Sequence, residues 1–153
     1  MEFPIFPLNG AILFPKTNLP LNIFEERYVE MIDYALSNKR LVGMIQIKEN
    51  GSYFSIGCLG KITNFTETED GRYQINLQGL KRFSLKKILK NNYKFKLISA
   101  EILETQNNIE IEKKLNEKLL SYFKKFLSFK KISFDTSEFE NLDAASLAKI
   151  ICV

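Results

Sequence analysis

The 153-residue sequence contains no histidine, which removes the side chain used most often as a general base and as a transition-metal ligand. Cysteine is scarce as well, because Cys58 and Cys152 lie far apart and form none of the close pairs that metal sites and redox motifs require. We interpret both as buried free thiols. We therefore expect no metal, no cofactor and no catalytic residue.

Long apolar runs are also missing. No stretch approaches 18 uninterrupted apolar residues, and the N-terminus lacks a basic region followed by a long apolar core. We expect a cytoplasmic protein without a membrane partner. The sequence has no G-x-x-x-x-G-K-[ST] loop to hold phosphates, and no serine or threonine lies in a recognisable nucleophile elbow. A hydrolase is therefore a poor interpretation.

Apolar residues make up 45% of the chain and charged residues 26%, which is typical of a folded globular protein. The positive charge is unevenly distributed. Residues 72–100 contain eight basic and no acidic side chains, whereas the rest of the chain has 14 basic and 18 acidic ones. Such a segment can attract polyanions. The alternative is that lysine is simply abundant throughout the sequence.

The first 24 residues are interrupted by the turn-forming residues Pro4, Pro7, Gly10, Pro15 and Pro20. Because proline fixes φ and cannot donate to a ladder, this part predicts edge strands and turns. From Glu25 the spacing becomes helical, with an apolar stripe made by Tyr28, Met31, Ile32, Ala35 and Leu36. We interpret the Glu25 and Glu26 carboxylates as favourable to the helix dipole and Arg27 as paired to a neighbouring acid, in preference to an acid–base site.

Period-two patterns follow the helix. The apolar run Leu41–Ile47 predicts a buried strand, and alternation over Tyr73–Gly79 predicts a half-buried one, preceded by an Asp70-Gly71 hairpin turn. Gly79 indicates either a close backbone approach or a bend. The break in the alternation at Phe65 predicts a β-bulge. The break near Ile98 predicts either a second bulge or a strand that bends around a barrel corner. Seven phenylalanines are expected mostly in the core, with any exposed ones forming an adhesive patch: Phe3, Phe6, Phe14, Phe24, Phe54, Phe65 and Phe83.

The last third of the chain is predicted to be helical. A first apolar face is formed by Ile111, Leu115, Leu119, Leu120, Phe123, Phe126 and Leu127. Asp143 is a candidate cap for a last helix with the stripe Ala144, Leu147, Ala148 and Ile151. Because its apolar end at Val153 has no stop signal, we expect the sequence to be truncated there. Strands, one helix, strands and then helices together predict an α+β fold.

Two blocks of sequence carry a resemblance to a known family. The first contains Phe6-Pro7-Leu8, Leu13-Phe14-Pro15 and the run from Leu19 to Tyr28. The second contains Ile56-Gly57-Cys58-Leu59-Gly60, the Glu69-Asp70-Gly71 turn, and Gln78-Gly79-Leu80-Lys81-Arg82-Phe83. In this order and spacing they resemble the Lon protease N-terminal (substrate-binding) domain family, especially its short stand-alone bacterial members. The resemblance covers about residues 3 to 105.

The resemblance implies a PUA-like, mostly antiparallel β pseudo-barrel over residues 1–105 with one packed helix, then a helical tail over 106–153. It also implies a non-catalytic module that binds unfolded or damaged protein segments. Domains of this family are usually tethered to an ATPase and a protease, so a separate ATP-dependent protease is a candidate partner. The matching runs supply the candidate binding residues Phe24, Glu25, Arg27, Tyr28, Arg82 and Phe83.

The alternative function is RNA binding, because PUA-like folds are also used on RNA. The candidate polyanion-binding residues are then Lys81, Lys86, Lys87, Lys90 and Lys94, together with Arg82. Against this alternative, the basic segment has few aromatic residues for base stacking and more lysine than arginine.

Overall fold

A computed structural model of the chain describes residues 1–104, 109–133, 136, 139, 142, 146–148 and 150. The elements named within these ranges are β1 (Glu2–Pro7), β2 (Asn18–Ile23), α1 (Glu26–Leu36), β3 (Leu41–Ile45), β4 (Ile56–Glu67), β5 (Tyr73–Leu89), β6 (Lys96–Ile102) and α2 (Ile109–Phe129). The chain divides into two compact units, Met1–Glu104 and Thr105–Val153. The predicted α+β class is confirmed.

The strands of the first unit form one sheet that closes on itself. The order is β2-β5-β4-β3-β1-β6, and an additional pairing joins β5 to β6. The long strand β5 makes this possible, because its first half pairs with β2 and its second half with β6, while β4 lies along its other side. Only the β1–β3 pairing is parallel among these strands. The result is the predicted, mostly antiparallel pseudo-barrel.

A first apolar core fills the ring of β1, β3, β4, β5 and β6. Each of these strands contributes at least one buried side chain to the cluster Phe3, Ile5, Ile45, Leu59, Phe83, Ile98 and Ala100. Since successive residues of a strand point to opposite faces, residues two apart on β1 and on β6 share this inner face. The rings of Phe3 and Phe83 meet edge to face, with centroids 5.1 Å apart.

A second core lies outside the ring and holds α1 in place. The helix buries Tyr28, Met31, Ile32 and Ala35, which are four of the five residues in its predicted stripe. The Tyr28 ring meets Phe6 of β1 edge to face at 4.4 Å between centroids. Burial raises the pKa of the Tyr28 hydroxyl. The predicted amphipathic helix and its packing role are therefore confirmed.

One hydrogen bond ties α1 to β5. The Tyr73 hydroxyl donates to Oδ1 of Asp33 at 2.7 Å. This acceptor, together with burial, raises the pKa of Tyr73 to about 12, because both favour the protonated phenol. The bond therefore joins the helix to the sheet at a position where the Tyr73 ring is already buried.

We expect Tyr73→Phe to lower the free energy of unfolding by about 1 kcal/mol at neutral pH, the usual contribution of such a bond. The folded pKa lies above the unfolded value of about 10, so the contribution is complete below that pH and is lost as pH rises through 12. Urea unfolding at several pH values measures the difference from the parent. Tyr93→Phe at an exposed tyrosine is the control, and a Tyr73→Phe difference that stays constant up to pH 12 contradicts the assignment.

The position of β1 in the sheet differs from the expectation that the proline-containing strands are edge strands. Pro20 lies in β2, which pairs only with β5 among the described strands, as predicted for an edge. However, β1 lies between β3 and β6 although it contains Pro4. Met1 and Ala100 exchange both backbone bonds, so the antiparallel alternation places Pro4 opposite Leu97 at a non-hydrogen-bonded position. The backbone N–H that Pro4 lacks would therefore make no hydrogen bond to β6.

The sheet has three register shifts, and only one lies where the sequence predicts a bulge. The shift between Ile62 and Asn64 precedes Phe65, as expected. Of the two alternatives predicted near Ile98, a bulge in β6 is wrong, because the shift lies in β5 between Leu85 and Lys87. A third shift, between Leu59 and Gly60, was not predicted.

The expectation that most of the seven phenylalanines lie in the core is also wrong. Phe3, Phe6 and Phe83 are buried, but Phe24, Phe54 and Phe65 are exposed and Phe14 is half-buried. Phe65 lies just after the β4 bulge, where the Arg40 guanidinium lies 5.7 Å from its ring centroid. These exposed rings are available for contacts outside the core.

The second unit is described in part. Its α2 ends in a turn in which Lys131 has a φ of 56° and the Ile132 N–H donates to the Leu127 carbonyl. Leu127 is buried, but Leu115 and Phe126 of the predicted apolar face are exposed. Leu147 is buried in the last helical segment. Asp143, Ala144, Ile151 and Cys152, together with the side chain of Ile111, lie outside the described residues.

Candidate functional site: an apolar groove on the barrel

An apolar groove of about 300 Å³ opens on the first unit. Three chain segments line it, residues 11–15, 44–46 and 54–58, together with Arg82 of β5. The only polar side chains among the lining residues, apart from the Cys58 thiol, are Gln46, Ser55 and Arg82, and none of the lining residues is acidic. A concave apolar surface with few polar groups is the usual form of a binding site.

Strand register forms one wall of the groove. Met44 pairs with Cys58, and Cys58 pairs with Arg82, so these residues form a row across β3, β4 and β5. Met44 and Cys58 belong to the core outside the ring, which places the row on the outer face of the sheet. Residues directly opposite each other share a face. Arg82 therefore ends the row with an exposed side chain beside the buried Cys58 thiol.

The opposite wall is the segment before β2, which is fixed by hydrogen bonds to Gly79. The Lys16 N–H donates to the Gly79 carbonyl and the Gly79 N–H donates to the Thr17 carbonyl, both at 2.8 Å. The Thr17 hydroxyl also donates to the Phe14 carbonyl at 2.8 Å. A Cβ on residue 79 would lie 2.0 Å from the Phe14 oxygen. The close backbone approach predicted at Gly79 is thus present, and it positions Leu13 to Pro15.

Exposed apolar side chains form the rim of the groove. Ile12, Phe54 and Ile56 line it and remain 43%, 46% and 46% exposed. The Lys48 ammonium lies 5.6 Å from the Phe54 ring centroid, which brings a second cation to this side. A rim with this much exposed apolar surface favours contact with an apolar partner.

Phe83 supports the groove from within the barrel. Its ring is fully buried and lies beneath Gly57, where an added Cβ would be 2.4 Å from Phe83 Cζ and 2.5 Å from the Met44 carbonyl oxygen. Glycine is therefore required where the groove floor passes over this ring. The Phe83 side chain itself presents no surface to a ligand in this conformation.

The Cys58 thiol at the groove wall is unreactive in this setting. It is buried, and this burial raises its pKa to about 11, although Arg82 acts in the opposite direction. The thiol is therefore protonated at neutral pH and behaves as a small apolar group. The expectation of a buried thiol is confirmed for Cys58.

The structure distributes the predicted binding residues over different environments. Arg82 lines the groove, whereas Phe83 and Tyr28 are buried in the two cores. Phe24 is 64% exposed and directly precedes α1, where Glu25 and Arg27 form an ion pair at 2.8 Å. The Arg27 guanidinium also lies 4.5 Å from the Tyr28 ring centroid. Arg27 therefore pairs with a neighbouring acid as expected.

The basic segment is partly neutralised by acids of other elements. Lys86 forms an ion pair with Glu101 of β6 at 2.7 Å, and Lys94 forms one with Glu26 of α1 at 2.5 Å. Each pairing lowers the pKa of its acid. Within the described residues, Lys81, Arg82, Lys87 and Lys90 are exposed without an ion pair. Two of the six candidate polyanion-binding side chains are thus already occupied.

Ile12, Phe54 and Ile56 were not predicted as site residues. The available signal was indirect, because the alternation that begins at Ile56 predicts a strand and Phe54 was named only as one of seven phenylalanines that would be adhesive if exposed. In the described part of the chain, no cluster of three or more His, Cys, Asp or Glu side chains could hold a metal ion. The described helices include none that is long and apolar enough to cross a membrane.

Comparison with known proteins agrees with this fold and decides the family. The model of the ATP-dependent protease La (LON) substrate-binding domain matches residues 2–152. The chain belongs to the LON substrate-binding domain family. As a member of that family, it is similar to the Lon protease of Desulfosudis oleivorans, with 31% identity over 111 residues, and to that of Dictyoglomus thermophilum, with 28% over 133 residues.

These two matches cover 67% and 82% of this chain. The chain spans only 14% and 16% of the length of the two relatives. Solved structures share the fold at lower identity. The N-terminal domain of the Mycobacterium avium complex Lon protease superposes with a TM-score of 0.70 at 16% identity, covering 99% of this chain and 82% of that one. The Lon N-terminal domain protein from Xanthomonas campestris superposes with a TM-score of 0.60 at 21% identity. This match covers 83% of this chain and 73% of that one.

Proposed function

We propose that this chain is a non-catalytic recognition module that binds exposed apolar segments of unfolded or damaged polypeptides in the groove. The observation that carries the proposal is the apolar groove rimmed by Ile12, Phe54 and Ile56, in a member of a substrate-binding domain family. An extended segment can insert apolar side chains between such walls, which gains affinity from burial without requiring a fixed sequence.

The absence of catalysis is part of the proposal. It is supported by a sequence without histidine and by a groove whose thiol, Cys58, has a raised pKa. We further propose that bound segments are delivered to an ATP-dependent protease, since the curated relatives are named Lon protease. RNA binding is not proposed, because ion pairs occupy Lys86 and Lys94 and no observation favours it.

The surface at Phe24, Glu25 and Arg27 stays a prediction as a contact site. Phe24 is the most exposed of the phenylalanines in the first unit, and the neighbouring ion pair keeps both charges in one place. None of these residues lines the groove. Tyr28 and Phe83 are proposed to act indirectly, by holding α1 and the groove floor in position.

We expect Ile56→Thr to weaken binding of an unfolded protein about fivefold, because it replaces apolar surface at the groove rim with a hydroxyl. The probe is a reduced and carbamidomethylated globular protein, which stays unfolded in native buffer, and the comparison is its native form. Fluorescence anisotropy of the labelled probe measures the affinity. The native form should not bind.

Ile88→Thr is the matched control. Ile88 is 45% exposed in β5, whereas Ile56 is 46% exposed in β4, and Ile88 does not line the groove. Both substitutions keep a β-branched side chain in a strand, so neither should alter the fold. Equal affinity for native and unfolded probe contradicts the proposed function. Equal loss in the two variants contradicts the placement of the site.

A further inference from the structure

We propose that the groove selects apolar segments in which an acidic side chain lies close in sequence to the apolar residue, and that Arg82 receives this carboxylate. The inference rests on the proposed function and specifies the substrate class of the same site. It follows from the juxtaposition of Arg82, at the end of the Met44–Cys58–Arg82 row, with an apolar groove that contains no acidic lining residue.

The first step concerns the charge of Arg82. Its guanidinium is exposed at the groove and forms no ion pair with a described residue. Of the other three arginines in the first unit, Arg27 pairs with Glu25 and Arg72 with Asp70. Arg40 lies 5.7 Å from the Phe65 ring centroid. An unpaired guanidinium presents donors in a planar fork that matches a carboxylate. Arg82 is therefore available to an acid that arrives with a ligand.

The second step concerns the surroundings of this charge. A bound apolar segment displaces water from the walls of the groove. This displacement strengthens a charge-assisted hydrogen bond to Arg82 relative to one on an open surface. Lys48, beside Phe54 on the rim, adds positive potential on the same groove. The groove is thus complementary to a ligand that is apolar and locally negative. A basic residue close in sequence to the apolar one is disfavoured for the same reason.

The third step concerns the source of the carboxylate. The groove is open to solvent and is not an enclosed cavity, so a bound segment need not present a chain end to Arg82. Internal aspartate and glutamate residues are far more numerous in an unfolded protein than chain ends. We therefore assign the carboxylate to an acidic side chain within the bound segment.

Labelled peptides in a glycine-serine frame test this assignment by fluorescence anisotropy. All contain one Ile-Phe pair and are amidated at the C-terminus. In the first, aspartate follows the pair after one residue; in the second, asparagine replaces it; in the third, the aspartate is moved to the far end of the peptide. We expect the first to bind about fivefold more tightly than the other two at low salt.

Protein variants connect the preference to Arg82. In Arg82→Gln the first and second peptides should bind with equal affinity, whereas Lys87→Gln, an equal change of net charge at an exposed β5 residue outside the groove, should keep the fivefold ratio. A ratio that survives in Arg82→Gln overturns the inference. So does a preference seen only for a peptide with a free C-terminal carboxylate, which would assign Arg82 to chain ends.

Two further outcomes separate this inference from the function on which it rests. If all peptides bind equally and Ile56→Thr weakens them equally, the groove binds apolar segments and the acidic preference is wrong. If no peptide binds and sedimentation shows a dimer that Ile56→Thr dissociates, the groove belongs to a second copy of this chain. That result overturns both proposals.

Discussion

Replacing Gly79 by alanine is expected to lower the free energy of unfolding by about 3–5 kcal/mol, because the site has no room for a side chain. The added Cβ would lie 2.0 Å from the Phe14 carbonyl oxygen and 3.2 Å from Leu13 Cγ. Backbone atoms cannot move aside as a flexible side chain does. The segment before β2 must therefore separate from β5 and lose its hydrogen bonds from Lys16 and to Thr17.

The groove should be lost with this segment, since residues 13–15 form one of its walls. Urea unfolding at 25 °C measures the stability, and probe binding below the unfolding transition measures the groove. Gly51→Ala is the control: it lies in an exposed turn with open space around it and a φ of 79°, so about 1 kcal/mol is expected from the backbone alone. Equal effects of the two substitutions contradict the role assigned to Gly79.

Phe83→Ala is expected to cost about 3–5 kcal/mol of unfolding free energy, the range for deleting a fully buried aromatic ring. Phe83 is 0% exposed and contacts Phe3 at the centre of the ring of strands. Its ring also lies against the backbone at Gly43 and Gly57, two positions where no side chain can fill the space left behind. The cavity should therefore collapse only partially.

Phe24→Ala is the control for this prediction, because Phe24 is 64% exposed and its removal should change stability by less than about 0.5 kcal/mol. Urea unfolding of both variants gives the comparison. A loss below about 1 kcal/mol in Phe83→Ala would show that the ring of strands is not closed around this side chain. The assignment of one continuous core inside the barrel would then be wrong.

Local patterns predicted the elements whose packing is simple. Alternation identified the first half of β5, where Tyr73, Ile75 and Leu77 are buried, and helical spacing identified the α1 stripe. These elements bury one face against one core, so period and burial coincide. The Asp70-Gly71 turn was predictable because Gly71 needs its φ of 76°.

The second half of β5 was not predicted, for a physical reason. This half pairs with β4 on one side and β6 on the other, yet only Phe83 is fully buried, and the shift near Lys86 reverses the alternation. The charged side chains on the outer face of this half also obscure the alternating pattern that would predict a strand. Its existence depends on barrel closure, which is a contact between residues distant in sequence.

The candidate site was predictable only in part. Arg82 was identified through a family resemblance, but the groove forms where residues 11–15, 44–46 and 54–58 meet. No local sequence pattern predicts that these three segments lie together, because their arrangement depends on the Gly79 hydrogen bonds and on the register of β3 with β4. The same reasoning applies to Pro4, whose place inside the sheet depends on the register with β6.

Hydrogen–deuterium exchange with and without the unfolded probe tests the central claim most directly. If apolar segments bind in the groove, exchange should slow most in the loop residues that form its walls, 11–14 and 54–55. Exchange in the basic stretch 86–96 and in α1 should stay unchanged. Protection confined to those regions, or none at a probe concentration that saturates binding, contradicts the account.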